Sequence, residues 1–245
     1  MEKGAKIDHL DVIEYLVEKN VDIHITNNQA LKLASNHALK LALENGYFEG
    51  VKYLVEKGAD IHAENNYALK MTLANEHLEI AEQLEIVKYL VEKGADIHAE
   101  NDYPLRYASR YGYLEIVKYL VEKGANIHAE NDYPLRHASF SDRKLDIVKY
   151  LVEKGANIHA ENDYALFMAS RNGCLDIVKY LVEKGANIHA QDGYILEYAK
   201  MDEQTEVVEY LRKERYKPLQ IINYLTLKYS SFQAYLISTF SNFSK

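Results

Sequence analysis

Along LEIVKYLVEKG, Tyr113, Ile116, Val117, Leu120 and Val121 recur at i, i+3, i+4, i+7 and i+8, the spacing that lines one face of an α-helix. Lys118 and Glu122 stand four apart on the opposite, polar face. Gly124 follows the last periodic residue, at a C′ position that calls for positive φ, so the helix is expected to end there. Upstream, YPLRYASR places Pro104 in a first helical turn and Leu105, Ala108 and Ser109 on one face. A shorter helix is predicted, with Gly112 turning the chain into the longer one and IHAEN extended. Asp102 to Asn131 therefore reads as two antiparallel helices followed by an extended segment.

That pattern recurs. KGADIHAEN or KGANIHAEN opens at Lys57, Lys93, Lys123 and Lys154, with KGANIHAQD at Lys184, and Gly94, Gly124, Gly155 and Gly185 keep a period of 30 to 31 residues. Two departures resemble local duplications: ALKLASNH at Ala30 is followed by ALKLALEN at Ala38, and LEI at Leu78 recurs at Leu84. The first adds about two helical turns and extends a helix comfortably; the second is not a whole number of turns, so irregularity is expected over Glu79 to Leu84. One helix pair cannot bury both of its faces. Stacked neighbours can, and the repeats should form one elongated cooperative domain.

Composition narrows the function. The chain has 245 residues, 48% of them apolar and 27% charged, enough to bury a core. A formal charge of −8 repels phosphate backbones, so nucleic acid is not an expected partner. A lone cysteine, Cys174, makes no internal disulfide, and MEKGAKIDHL lacks the apolar stretch of a signal peptide, which points to an intracellular location. The most apolar region, Leu219 to Phe240, is interrupted by Lys228, Gln233 and several serines, so no transmembrane segment is expected.

YPLRYAS at Tyr103, YPLRHAS at Tyr133 and YALFMAS at Tyr164 resemble the ankyrin TPLHxAA signature, and LEIVKYLVEKGADIHA resembles the second helix and loop of that family. The resemblance runs from about Asp8 to Glu214. It implies an all-α ankyrin-repeat solenoid of stacked helix-turn-helix pairs with short loop fingers, about six repeats plus a partial first one. Residues 1–216 are assigned to it and 217–245 to an apolar, aromatic capping helix or tail. The unit of 30 residues, with its NDYAL or NDYPL phrase, resembles the ankyrin proteins of giant amoeba-infecting DNA viruses, mimivirus-like. The family's threonine is replaced by Tyr103, Tyr133 and Tyr164, and its histidine by Arg106, Arg136 and Phe167. Asp102, Asp132 and Asp163 are expected to cap the short helices instead.

Several residues invite a chemical reading. A histidine recurs at His24, His62, His98, His128, His159 and His189. Equivalent atoms in stacked helices lie about 8–10 Å apart, whereas two zinc ligands each lie about 2 Å from the ion, so loop-structuring hydrogen bonds are favoured over metal binding or pH sensing. Glu64, Glu100, Glu130 and Glu161, with Asp102, Asp132 and Asp163, form an acidic row on the finger edge. It is either a solvated edge or a surface for a basic partner segment. The variable positions of the short helices are Arg106, Tyr107, Arg110 and Tyr111; Arg136, His137 and Phe140; and Phe167, Met168, Arg171 and Asn172. The resemblance puts a partner on the concave face, and these residue types suit an interface anchor, although Tyr107, Phe167 and Met168 could equally pack between units.

Equivalent repeated carboxylates give no reason for one to act as acid and another as base, and Cys174 has no adjacent base. No enzyme, cofactor or metal site is expected. The reading is a monomeric, non-catalytic protein-binding module of the host cytoplasm. Its alternatives are a substrate-recruiting adaptor for a ubiquitin ligase, an enzyme, or a decaying gene copy. The adaptor would use the C-terminal segment, where no clear ligase-docking box is found. The start lies inside a repeat and lacks a polar cap; TEVVEYLRKERY is read as a last helix with Glu206, Glu209, Arg212 and Lys213 outward.

Overall fold

The computed structural model describes residues 29–75 and 78–216, and every regular element there is helical. The protein is all-α, a helical repeat. In chain order α1 is Gln29–Glu44, α2 Phe48–Glu56, α3 Ala63–Ala74, α4 Ile80–Glu92, α5 Ala99–Tyr111 and α6 Leu114–Glu122. There follow α7 Ala129–Ala138, α8 Leu145–Glu153, α9 Ala160–Arg171, α10 Leu175–Glu183, α11 Ile195–Met201, and α12 over 205–216. His24, Glu76, His77, the side chain of Glu64 and all of 217–245 lie outside the described residues, and with them the expectations for both ends.

The described residues form two compact units, one from 29–75, 78–138 and 143–157, the other from 139–142 and 158–216. In the first unit the first helix of each repeat, expected to be the shorter and called the short helix below, in fact spans 10 to 16 residues against 9 to 13 for the second, because the duplication and the finger turn lengthen it. These first helices touch one another, α1 with α3, α3 with α5 and α5 with α7. Long helices likewise follow long ones, α2, α4, α6 and α8 in turn. The result is two layers. Ile86, Val87 and Leu90, Ile116, Val117 and Leu120, and Ile147, Val148 and Leu151 are fully buried, as are Leu105, Ala108, Leu135 and Ala138 of the short helices. The apolar periodicity of the sequence is thus the face on which repeats meet. In the second unit α9 meets α10 and α11, and Val207, Val208 and Leu211 of α12 are buried while Glu206, Glu209, Arg212 and Lys213 are exposed, as expected.

Each long helix stops where its glycine stands. Gly124 has φ +99°, its N–H donates to Val121 O at 3.0 Å, and Ala125 N–H reaches back to Leu120 O at 2.9 Å. This paired closure satisfies two orphan carbonyls, and the left-handed residue between them carries no Cβ penalty. Tyrosines then tie long helices together: Tyr89, Tyr119 and Tyr150 donate to the carbonyls of Lys52, Lys88 and Lys118 at 3.1, 3.4 and 3.4 Å. Burial pushes all three phenols above their usual range, which keeps them donors. Lys118 pairs with Glu115 at 2.7 Å rather than with the Glu122 suggested by the four-residue spacing.

The duplications behave differently from each other. The first is absorbed into the sixteen residues of α1, as expected. Over the second, the expected irregularity gives way to regular helix: α4 starts at Ile80, a turn before Leu84, with Gln83 buried and its Nε2 donating to Asn75 O at 2.8 Å.

The IHAEN segment is not extended. His98 is right-handed, and Glu100, Asn101 and Asp102 then take φ of 50°, 55° and 56°, one turn of left-handed helix before α5 resumes a right-handed course. The same triplet recurs at Glu130–Asp132 and Glu161–Asp163. Side-chain periodicity carries no information on the sign of φ. Left-handed backbone costs roughly 1–2 kcal/mol per residue other than glycine, so other groups must hold these turns.

Candidate functional site

The holding groups are the aspartates. Asp102 and Asp132 are 5% exposed and Asp163 4%, not the open edge expected of them. Asp102 Oδ1 accepts the backbone N–H of Asn126 in the next repeat at 2.7 Å, and the His98 ring donates from Nδ1 to the same oxygen at 3.0 Å. Asp132 does the same with Asn157 and His128 at 2.8 and 3.0 Å, and Asp163 with Asn187 and His159 at 2.8 and 3.0 Å. The expected N-capping is therefore wrong. In the left-handed conformation the aspartate carboxylate reaches an amide one repeat onward instead of its own helix start. The histidine ladder, at these three positions, makes loop-structuring hydrogen bonds.

The finger carbonyls are closed by arginine. Arg106 donates from Nε to Asn101 O at 2.9 Å and from Nη2 to Glu100 O at 2.8 Å, while Nη1 reaches Glu130 Oε2 at 2.9 Å. Arg136 repeats the first two bonds on Asn131 and Glu130 at 2.9 and 2.8 Å. Where Phe167 replaces that arginine, Gln191 Nε2 donates to Glu161 O and Asn162 O, both at 2.8 Å. Arg106 and Arg136, expected as partner anchors, are thus engaged by their own fingers. Sequence reasoning missed this role and that of Gln191. The signal was arginine five residues after the finger asparagine, present in NDYPLR and absent from NDYALF. Glu100, Glu130 and Glu161 are exposed on the finger edge as expected, with Glu100 paired to Lys70 and Glu130 to Arg106.

What α5 leaves open is aromatic. Tyr103, Tyr107 and Tyr111 stand four apart on one face, with ring centroids 5.7 Å and then 4.2 Å apart, the second pair stacked. With Arg106, Arg110 and Tyr133 they line a groove of about 130 Å³. Arg110 Nη1 donates to the Tyr133 hydroxyl at 3.4 Å, and its guanidinium lies 5.7 Å from the centre of the Tyr111 ring. Tyr111 is 50% exposed and Arg110 is exposed too. Burial, and then the neighbouring Tyr111, pushes the Tyr107 phenol well above the ordinary range, so it acts as a neutral hydrogen-bonding group.

A family model for ankyrin repeats in three copies matches residues 4–65, 64–131 and 135–221. The chain belongs to the ankyrin repeat family. Ankyrin repeats are in general protein–protein interaction modules, and the family is typically non-enzymatic. No curated protein matches the chain.

Beside the groove of this ankyrin unit, the His137 ring stacks on Tyr133 with centroids 3.7 Å apart. Burial, followed by Arg136, Arg110, Lys144 and Arg106, lowers its pKa from 6.5 to about 4. Its protonation therefore favours the unfolded chain, and the neutral ring's contribution to stability is complete above pH 6.5 and lost as pH falls toward 4. Melting temperature is expected to drop more steeply over that interval for the wild-type chain than for His137→Phe; parallel profiles would show that His137 titrates normally.

The second ankyrin unit holds the other expected contact residues. Phe167 meets Tyr198 edge to face at 5.3 Å, and Arg171 lies over Tyr198 at 5.8 Å while its Nε donates to Asp202 Oδ2 at 2.9 Å. Met168 is buried, so it is core and not a contact residue, and Phe140 is half-buried. Cys174 is buried at the start of α10 and makes no disulfide among the described residues. Among the described residues no helix is long and apolar enough to cross a membrane.

Proposed function

We propose that this ankyrin chain holds a protein partner on the short-helix face of its first unit, around Tyr107, Tyr111 and Arg110, without catalysing a reaction. The observation that carries the reading is the tyrosine ladder with its arginine, half-buried at Tyr103 and Tyr107 and open to solvent at Arg110 and Tyr111, beside a closed framework. Stacked tyrosines present large, stiff, amphipathic area at low entropic cost, and arginine adds a planar donor set; these residue types dominate interface energetics. The phrases NDYAL and NDYPL support a giant amoeba-infecting DNA virus as the source, and host cytoplasm as the place of work, as parts of the same proposal.

Affinity capture of host-cell proteins on the intact chain, beside a Tyr107→Ala/Tyr111→Ala double variant, tests it. A specific partner is expected on the wild type and at least about tenfold less on the variant, with helix content unchanged by circular dichroism. Equal capture on both would move the binding surface elsewhere.

A further inference from the structure

We propose that the groove takes an acidic peptide segment of the partner, with a side-chain carboxylate at Arg110 and the rest of the segment across Tyr107, Tyr111 and Tyr133. This rests on the protein-binding reading above and adds the chemistry of what is bound.

The charge of the chain is segregated. Although the total is −8, the stretch from Tyr103 to Leu114 contains Arg106 and Arg110 and no acidic residue, and the stretch from Tyr133 to Ser141 contains Arg136 and none. The carboxylates are on the fingers, at Glu100 and Glu130, and on the long helices, at Glu115, Glu122, Asp146 and Glu153. Past their fingers, α5 and α7 therefore present a cationic strip on an acidic protein.

Within that strip one cation differs from its counterparts. Lys70 has Glu100, Arg106 has Glu130 and, in the second unit, Arg171 has Asp202. Arg110 has no carboxylate among the described residues; its neighbours are the Tyr133 hydroxyl and the Tyr111 ring. A guanidinium held against an aromatic face keeps its outer N–H groups in one plane, the arrangement that receives a carboxylate through two parallel hydrogen bonds. Lys144 Nζ donates to the Arg110 carbonyl, which puts a second positive charge beside the Arg110 backbone. Aromatic rings with arginine could also stack the bases of a single strand, but the net negative charge opposes each added phosphate, whereas a short acidic peptide needs only local complementarity.

The test is selection of a random peptide library displayed on phage against the intact chain. Enriched peptides are expected to carry an excess of aspartate and glutamate over the unselected library. A synthesised winner should bind Arg110→Glu about tenfold or more weakly than wild type, and Arg110→Gln by an intermediate factor, with circular dichroism unchanged. Winners with no acidic excess that are lost on Tyr107→Ala/Tyr111→Ala would overturn the acidic chemistry and leave the binding face standing. Winners indifferent to all these variants would overturn both. A short oligothymidylate bound more tightly than any winner, and released by Arg110→Glu, would overturn the proposal in favour of a single-strand site.

Discussion

Asp132→Ala is expected to lower stability by about 2–3 kcal/mol. The carboxylate is buried and accepts two hydrogen bonds, from the Asn157 amide and the His128 ring. Alanine leaves the amide without its acceptor and removes the group that holds Asp132 in a left-handed conformation at φ +57°. Asp132→Asn keeps a carbonyl oxygen for the amide and should lose less than half as much. Urea unfolding read beside hydrogen exchange at Asn157 separates local opening from global loss, which matters because repeat proteins depart from two-state behaviour. An alanine variant as stable as wild type would mean that the inter-repeat bond contributes nothing.

Leu120→Ala should cost more, about 2–5 kcal/mol. Leu120 is fully buried on α6, which lies between α4 and α8, so the cavity would open where long helices of three repeats meet. Met201→Ala is the matched control. Met201 is 74% exposed, and its truncation should stay within about 0.5 kcal/mol. If the two variants melt together, the described layer of long helices is not the core.

The helix pairs were legible because burial imposes a period. Ile116, Val117 and Leu120 announce both a helix and the face it hides, and Gly124 marks where a carbonyl must be closed by a residue with positive φ. Arg110 and Tyr111 could be singled out as exposed because they break an otherwise repeated phrase, whereas Tyr107, singled out with them, is half-buried. The fingers were illegible for a matching reason. Three consecutive left-handed residues leave no hydrophobic signature, and Glu-Asn-Asp before a helix reads naturally as a capping sequence. Which way Asp102 turns is decided by an amide in Asn126, a partner that spacing within one helix cannot reveal. Met168 shows the opposite failure: it varies between repeats like a contact residue yet is buried.

The aspartate staple also bears on how such a chain can lengthen. In Asp102 to Asn126, Asp132 to Asn157 and Asp163 to Asn187, the acceptor belongs to one repeat and the donor to its successor. A gene segment copied in whole units of this length brings one acceptor for the unit downstream and one amide for the unit upstream, and leaves no buried polar atom without a mate at either seam. Copying a length that separates an acceptor from its amide breaks that match. The partial duplication at Leu84 falls inside α4, whereas the one at Ala38 directly follows a seam of this kind: Asn36, in the repeated segment, accepts the backbone N–H of Asp60 at 3.0 Å, an asparagine standing where the later repeats carry the aspartate.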